Sequence, residues 1–146
     1  MADITIPRYE KGREFYKDTV EDALESMQKE GYKPLFMNEL ADARLHPDNK
    51  DSWRKWYTSA SIKATGRTKA GTPVVVYAHV PNYFSNPENI ATAVGQGLIK
   101  GAGIMPQTEF DRLIDMAEEQ NGKPNQRVFL VDYNALKRAP SDVVAV

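Results

Sequence analysis

The chain of 146 residues has no cysteine. That excludes a disulfide scaffold, thiolate chemistry and zinc sites built on cysteine, and it is compatible with a reducing compartment. Histidine is scarce as well: only His46 and His79 are present, with no HxxxH or HxE spacing, so no metal site is expected. No apolar run approaches the ~20 residues that a membrane span requires. The opening MADITIPRYEKGREFY lacks the apolar segment of a secretory signal. The expectation is a cytoplasmic protein with no membrane association. A net charge of −1 leaves little attraction to polyanions through overall charge, though local patches are unaffected.

Catalytic signatures are missing too. The glycines at 95, 97 and 101 invite a nucleotide-binding reading, but the P-loop spacing GxxxxGK[ST] is absent. A dinucleotide fingerprint fails because its third glycine comes one place late, after a segment that reads as helix. The nucleophile elbow GxSxG does not occur. No cofactor is expected.

What the chain does contain is periodicity. Tyr16, Val20, Ala23, Leu24 and Met27 recur at three- and four-residue steps, which predicts a helix stopped by Gly31 and Pro34. A second helix through LFMNELADARL would turn Phe36, Met37, Leu40 and Ala41 inward, and His46-Pro47 would close it. The period then becomes two. In YTSASIKAT, Thr58, Ala60, Ile62 and Ala64 face one way and Tyr57, Ser59, Ser61 and Lys63 the other. GRTKAGT is a polar loop, and PVVVYAHV is a second strand pairing back on the first as a hairpin. A helix follows with Ser85 or Asn86 as cap, Pro87 at its first position, Ile90, Val94 and Leu98 inward, and an end near Gly101. Thr108 opens the next helix, with Phe110, Leu113, Ile114 and Ala117 on its inner stripe. RVFLVDY is apolar on both faces, which suits a central strand.

These elements predict an α+β fold, a single domain over residues 1–146. Its small, mostly antiparallel sheet comprises a hairpin over about 57–80 and a strand over about 127–133, with about four helices packed on it.

Three groups of residues invite chemistry. Asp132 ends an apolar strand, where a charge needs a partner; it can cap the following turn DYNALK. Ser59 or Ser61, His79 and Asp132 supply the residue types of a catalytic triad, and His79 is the weak catalytic candidate. The third group is a local charge imbalance. Residues 1–52 carry eight Lys/Arg against twelve Asp/Glu, whereas 53–72 carry Arg54, Lys55, Lys63, Arg67 and Lys69 with no acid. The acid-free stretch runs from Ser52 to Pro87 and also holds Trp53, Trp56, Tyr57, Tyr77, Tyr83 and Phe84.

Cations interleaved with rings are the chemistry of a single-stranded nucleic-acid groove, in which charges neutralise phosphates and rings stack on bases. The principal expectation is therefore a binding module that contacts single-stranded nucleic acid or a phosphate-bearing ligand through the 53–85 region. Its candidate contacts are Arg54, Lys55, Trp56, Lys63, Arg67, Lys69, Tyr77, His79 and Tyr83. Two alternatives stand beside it. One is a small enzyme whose pocket forms at His79, Asn82, Tyr83 and the helix start Ser85–Glu88. The other is a protein–protein interaction domain that docks through its acidic first helix and apolar VVAV tail. The same rings and charges can equally be core and internal balance.

Overall fold

A computed structural model describes residues 15, 17–54 and 58–137. Among them are five α-helices and one sheet: α1 (Val20–Lys29), α2 (Met37–Arg44), β1 (Ile62–Arg67), β2 (Pro73–Ala78), α3 (Pro87–Gln96), α4 (Gln107–Gln120), β3 (Val128–Asp132) and α5 (Tyr133–Lys137). Short 3₁₀ stretches occupy Pro47–Arg54 and Tyr83–Ser85. The architecture is the expected α+β.

The core lies between α4 and one face of the sheet. Val74, Val76 and Ala78 of β2 and Val128 of β3 meet Phe110, Leu113, Ile114 and Ala117 of α4. Alternation in the strands and the three- and four-residue steps of the helix place those side chains on single faces. Ile62, Ala64 and Val80 pack against the edge of this cluster. At the edge nearer the hairpin turn the packing is tight: a Cβ on Gly66 would stand 2.7 Å from Cε1 of Phe110.

Several boundaries differ from those the sequence predicts. Thr19, whose Oγ1 accepts the Asp22 N–H at 3.3 Å, starts α1 at Val20; Tyr16 lies outside the described residues. On α2 the inward residues are Phe36, Leu40 and Ala43, and Met37 is turned outward at 54% exposure. Within β1 the predicted faces hold for Ile62, Lys63 and Ala64, but the strand starts only at Ile62 and runs on to Arg67, because Gly66 and Arg67 pair with Val74 and Pro73; Tyr57 lies outside the described residues. The hairpin loop is correspondingly shorter, spanning 68–72. It is closed by Thr68 N–H to Thr72 O (2.9 Å) and Gly71 N–H to Thr68 O (2.8 Å).

Helix α3 is capped by Asn86, whose Oδ1 accepts the Glu88 N–H at 3.0 Å, and it ends at Gln96 because Gly97 takes φ 96°. Its buried residues are the small Pro87 and Ala93, while Val94 and Leu98 are outside. The cap of α4 is Pro106, two residues earlier than Thr108. The sheet order is β1-β2-β3, so the central strand is β2 and β3 is an edge. The helices also spread beyond the sheet: α4 and α5 pack on the strands, whereas α1 packs on α3.

Two glycines carry testable weight. Gly66→Ala drives a methyl into the Phe110 ring and should cost about 1–3 kcal/mol, read as a lower denaturation midpoint. Phe110→Leu in the same chain should return part of that loss. Gly101 sits at φ 82° beside Lys100 at φ 51°, in a two-residue turn closed by paired 2.9 Å bonds between Ile99 and Ala102. The space around it is open. Gly101→Ala should therefore cost about 1–2 kcal/mol through backbone conformation alone, and Gly101→Asn much less, by thermal melting.

Candidate functional site

The face of the sheet opposite α4 follows from the register. Residues directly opposite in an antiparallel pair share a face. Lys63, Tyr77 and Phe129 form one row across the three strands, and Thr65, Val75 and Val131 form the next. Continuing the register beyond the strand ends aligns Ser61, His79 and Arg127. Their alignment is fixed by two contacts: Ser61 Oγ to His79 Nδ1 at 2.7 Å, and His79 N–H to Arg127 O at 2.8 Å. Val75 is buried, but Lys63 and Phe129 are exposed and Tyr77 is half-buried.

The side chains on this face support one another. Lys63 Nζ lies 6.0 Å from the centre of the Tyr77 ring, within cation–π range. The His79 ring meets Phe129 edge to face at 6.1 Å. Ser61 Oγ also accepts the Met37 N–H at 2.7 Å, so a continuous chain runs from the first turn of α2 through Ser61 to His79. With one lone pair of Oγ taken by Met37, the hydroxyl hydrogen is free to donate to an unprotonated Nδ1. Burial first, and the Arg127 cation second, hold the imidazole below its ordinary pKa of 6.5, which favours that neutral state.

The triad does not assemble. Ser61 and His79 are bonded, but Asp132 pairs with Val74, on the face that carries α4, and its Oδ1 accepts the Ala135 N–H at 2.9 Å. It caps α5. Ser59 Oγ accepts the Ser61 N–H at 3.3 Å and is likewise structural. Asn82 turns the chain after Pro81: its Oδ1 accepts from Phe84 N–H (3.0 Å) and its Nδ2 donates to Val80 O (2.9 Å).

An open depression of about 340 Å³ lies beyond that turn, lined by Pro81, Tyr83, Asn86, Asn89 and the Glu109–Arg112 ion pair. His79 does not line it, so histidine and helix start do not form one pocket. Among the described residues no group of three or more His, Asp or Glu could hold a metal ion. No described helix is long and apolar enough to cross a membrane.

The predicted contact residues are scattered. Lys63, Tyr77 and His79 share the outer face, with Arg67 exposed two places beyond Thr65. Lys69 is at the hairpin tip. Tyr83 lies across Pro81, edge to face with Phe84. Lys55, Trp56 and the side chain of Arg54 fall outside the described residues. Arg127 and Phe129 were not singled out from the sequence. Their signal is the alternation of Arg127, Phe129 and Val131 on one face of a strand.

No protein-family model matches the chain, and no curated protein does. A solved structure described as "Accommodation of massive sequence variation in Nanoarchaeota by the C-type lectin fold" is 48% identical over 93% of this chain, with a TM-score of 0.76. The match spans 60% of that protein's own length. This likeness, to a C-type lectin fold, overturns the nucleic-acid reading of the 53–85 region. The physical reason lies among the described residues: Lys69 stands at the hairpin tip and Tyr83 across Pro81, apart from Lys63, Arg67, Tyr77 and His79 on the outer face, so these charges and rings do not surround one groove. Of the alternatives weighed, a protein-interaction domain fits the likeness better.

The lowered pKa of His79 gives a pH dependence of known sign. As pH falls below about 6.5, the unfolded chain takes up the proton first, so stability falls with it. The contribution is complete above that pH and is lost as pH drops through the folded-state value. His79→Gln should therefore flatten the fall in melting temperature between about pH 7 and pH 5 relative to the unaltered protein, since His46 is common to both.

Proposed function

We propose that this chain is a protein-interaction domain, one α+β unit over residues 1–146, with its contacts on the sheet face opposite α4. The observation that carries the reading is the likeness to a structure described as accommodating massive sequence variation in the C-type lectin fold. A scaffold that tolerates changed side chains must separate the residues that hold the fold from those that meet a partner. That separation is supported here by Val76, Ala78, Leu113 and Val128, all fully buried between sheet and helix, while Lys63 and Phe129 stand exposed on the other face. Tyr77 and Phe129 are the proposed anchors, flanked by Lys63, Arg67 and Arg127, with His79 setting the position of the Phe129 ring. Aromatic residues and arginine are the types enriched at interfaces and at their energetic centres. The cysteine-free composition supports a reducing, cytoplasmic setting for the encounter.

The test is site-specific photo-cross-linking in an extract of the native cells. A benzophenone amino acid at position 77 should give one or a few discrete protein adducts, and the same label at position 69 on the hairpin tip should give none of them. Adducts identical at both positions, or none at position 77, would remove the outer face as the contact surface. Alanine at both Tyr77 and Phe129 should abolish the adducts formed by a label at position 63 and leave the melting temperature within a few degrees.

A further inference from the structure

Every charge that the sheet places on the face opposite α4 is positive. β1 contributes Lys63 and Arg67, and the residue before β3 is Arg127. Asp132, the acid of β3, lies on the other face, where it caps α5. Helix α5 packs on β2 and β3, and its sequence YNALK brings no acid either. None of the three cations has a carboxylate partner among the described residues. Arg67 Nη1 donates to Gly71 O at 2.8 Å and Arg127 Nη1 to Gln126 O at 3.2 Å, which leaves most of the five donors of each guanidinium unused. His79 adds one more donor: with Nδ1 accepting from the Ser61 hydroxyl, the ring proton is on Nε2.

Spacing decides the size of the partner that these donors fit. At ~3.3 Å per residue and ~4.8 Å per strand, the main-chain positions of Lys63 and Arg67 are about 13 Å apart along β1, and those of Lys63 and Arg127 about 12 Å apart across the sheet. A small anion does not bridge such gaps. A nucleic-acid strand carries a charge at every nucleotide, whereas the ground between these cations holds the rings of Tyr77 and Phe129. Separated cations around an apolar centre match a protein surface on which acids surround apolar side chains.

We propose that the partner of this face is an acidic protein segment, whose carboxylates meet Lys63, Arg67 and Arg127 while its apolar side chains rest on Tyr77 and Phe129. The proposal rests on the reading of this face as the contact surface and adds the chemistry of what the face meets. A carboxylate fits the fork of each guanidinium with two parallel hydrogen bonds, which fixes orientation as well as energy. Charges around an interface act mainly on the rate of encounter and on the choice of partner. The chain as a whole carries −1, so an acidic partner is not drawn to the molecule at large and the attraction is confined to this cationic face.

The probe is a displayed library of random peptides selected on the purified protein. Enriched sequences should carry Asp and Glu in excess of the starting library, interleaved with aliphatic or aromatic residues, and their binding should be lost in the Tyr77→Ala/Phe129→Ala protein. Lys63→Glu/Arg67→Glu should weaken a selected peptide about tenfold or more and flatten the fall of its affinity with salt. Replacing the acids of that peptide by Asn and Gln should do the same. Lys29→Glu/Lys100→Glu makes the same change of net charge on α1 and in the turn after α3, and should leave the affinity unchanged; all variants should melt within a few degrees of the unaltered protein. Peptides that depend on Tyr77 and Phe129 but show no acidic excess would overturn the acidic partner and leave the contact face in place. No enrichment, or peptides indifferent to both rings, would remove the face and this proposal with it. Displacement of an acidic peptide by single-stranded oligonucleotide at equal concentration of charge would overturn the choice of a protein, since the face would then take any polyanion.

Discussion

The contact between the Phe110 ring and the backbone of Gly66 fixes how closely α4 approaches the sheet, and the rest of the arrangement depends on that distance. A side chain at position 66 would collide with the ring, so the helix can lie close to β1 only because the residue there has none. With Phe110 seated, Leu113, Ile114 and Ala117 fall over Val74, Val76, Ala78 and Val128. The alternation of the strands then leaves no freedom: a one-residue slip would exchange the whole buried set for the outer one. The core contact thus determines which side chains stand on the outer face.

On that outer face the same register turns separate polar groups into a chain. Ser61 and His79 are 18 positions apart in sequence, yet pairing of β1 with β2 leaves Oγ and Nδ1 2.7 Å apart. Ser61 also closes the first turn of α2 through Met37 N–H, one of the helix-start donors that lack an intrahelical partner. His79 is therefore held from two sides, by Ser61 and by the Phe129 ring, and burial keeps it neutral. A histidine tied in this way orients its neighbours. Asp132, the carboxylate that a triad would have drawn on, is committed to the start of α5.

What was legible in the sequence was whatever one strong local signal decides. The four apolar residues of α4 recur at helical spacing with large side chains, and the stripe was read correctly. In α3 the larger residues misled: Val94 and Leu98 look like the inward stripe, but Gly97 ends the helix before Leu98, and the residues turned inward are Pro87 and Ala93. Small residues can be buried at close approaches without leaving a hydropathy signal; Gly103, whose Cβ position would be 3.2 Å from that of Ala93, shows how close this one is. The edge position of β3 was not legible. An apolar run on both faces reads as central, and only strand order separates a covered strand from an exposed one. Ser61 and His79 were both named in advance, but their pairing is a consequence of register, and so is the presence of Arg127 beside them.

The basic cluster of residues 53–72 shows how composition along a chain can point to the wrong partner. Lys63 and Arg67 are separated by four strand positions, about 13 Å at ~3.3 Å per residue, with Thr65 between them, and Lys69 follows at the turn. They line an edge and do not surround a groove. An edge strand needs something that makes pairing with another chain unfavourable, and alternate cations on its solvent face do that without disturbing the inward Ile62 and Ala64. A charge excess in one stretch of sequence is then explained by where that stretch lies in the sheet. On β3, two glutamine side chains cover Val128 and none among the described residues covers Leu130, so the two edges of the sheet differ in the sequence of each strand.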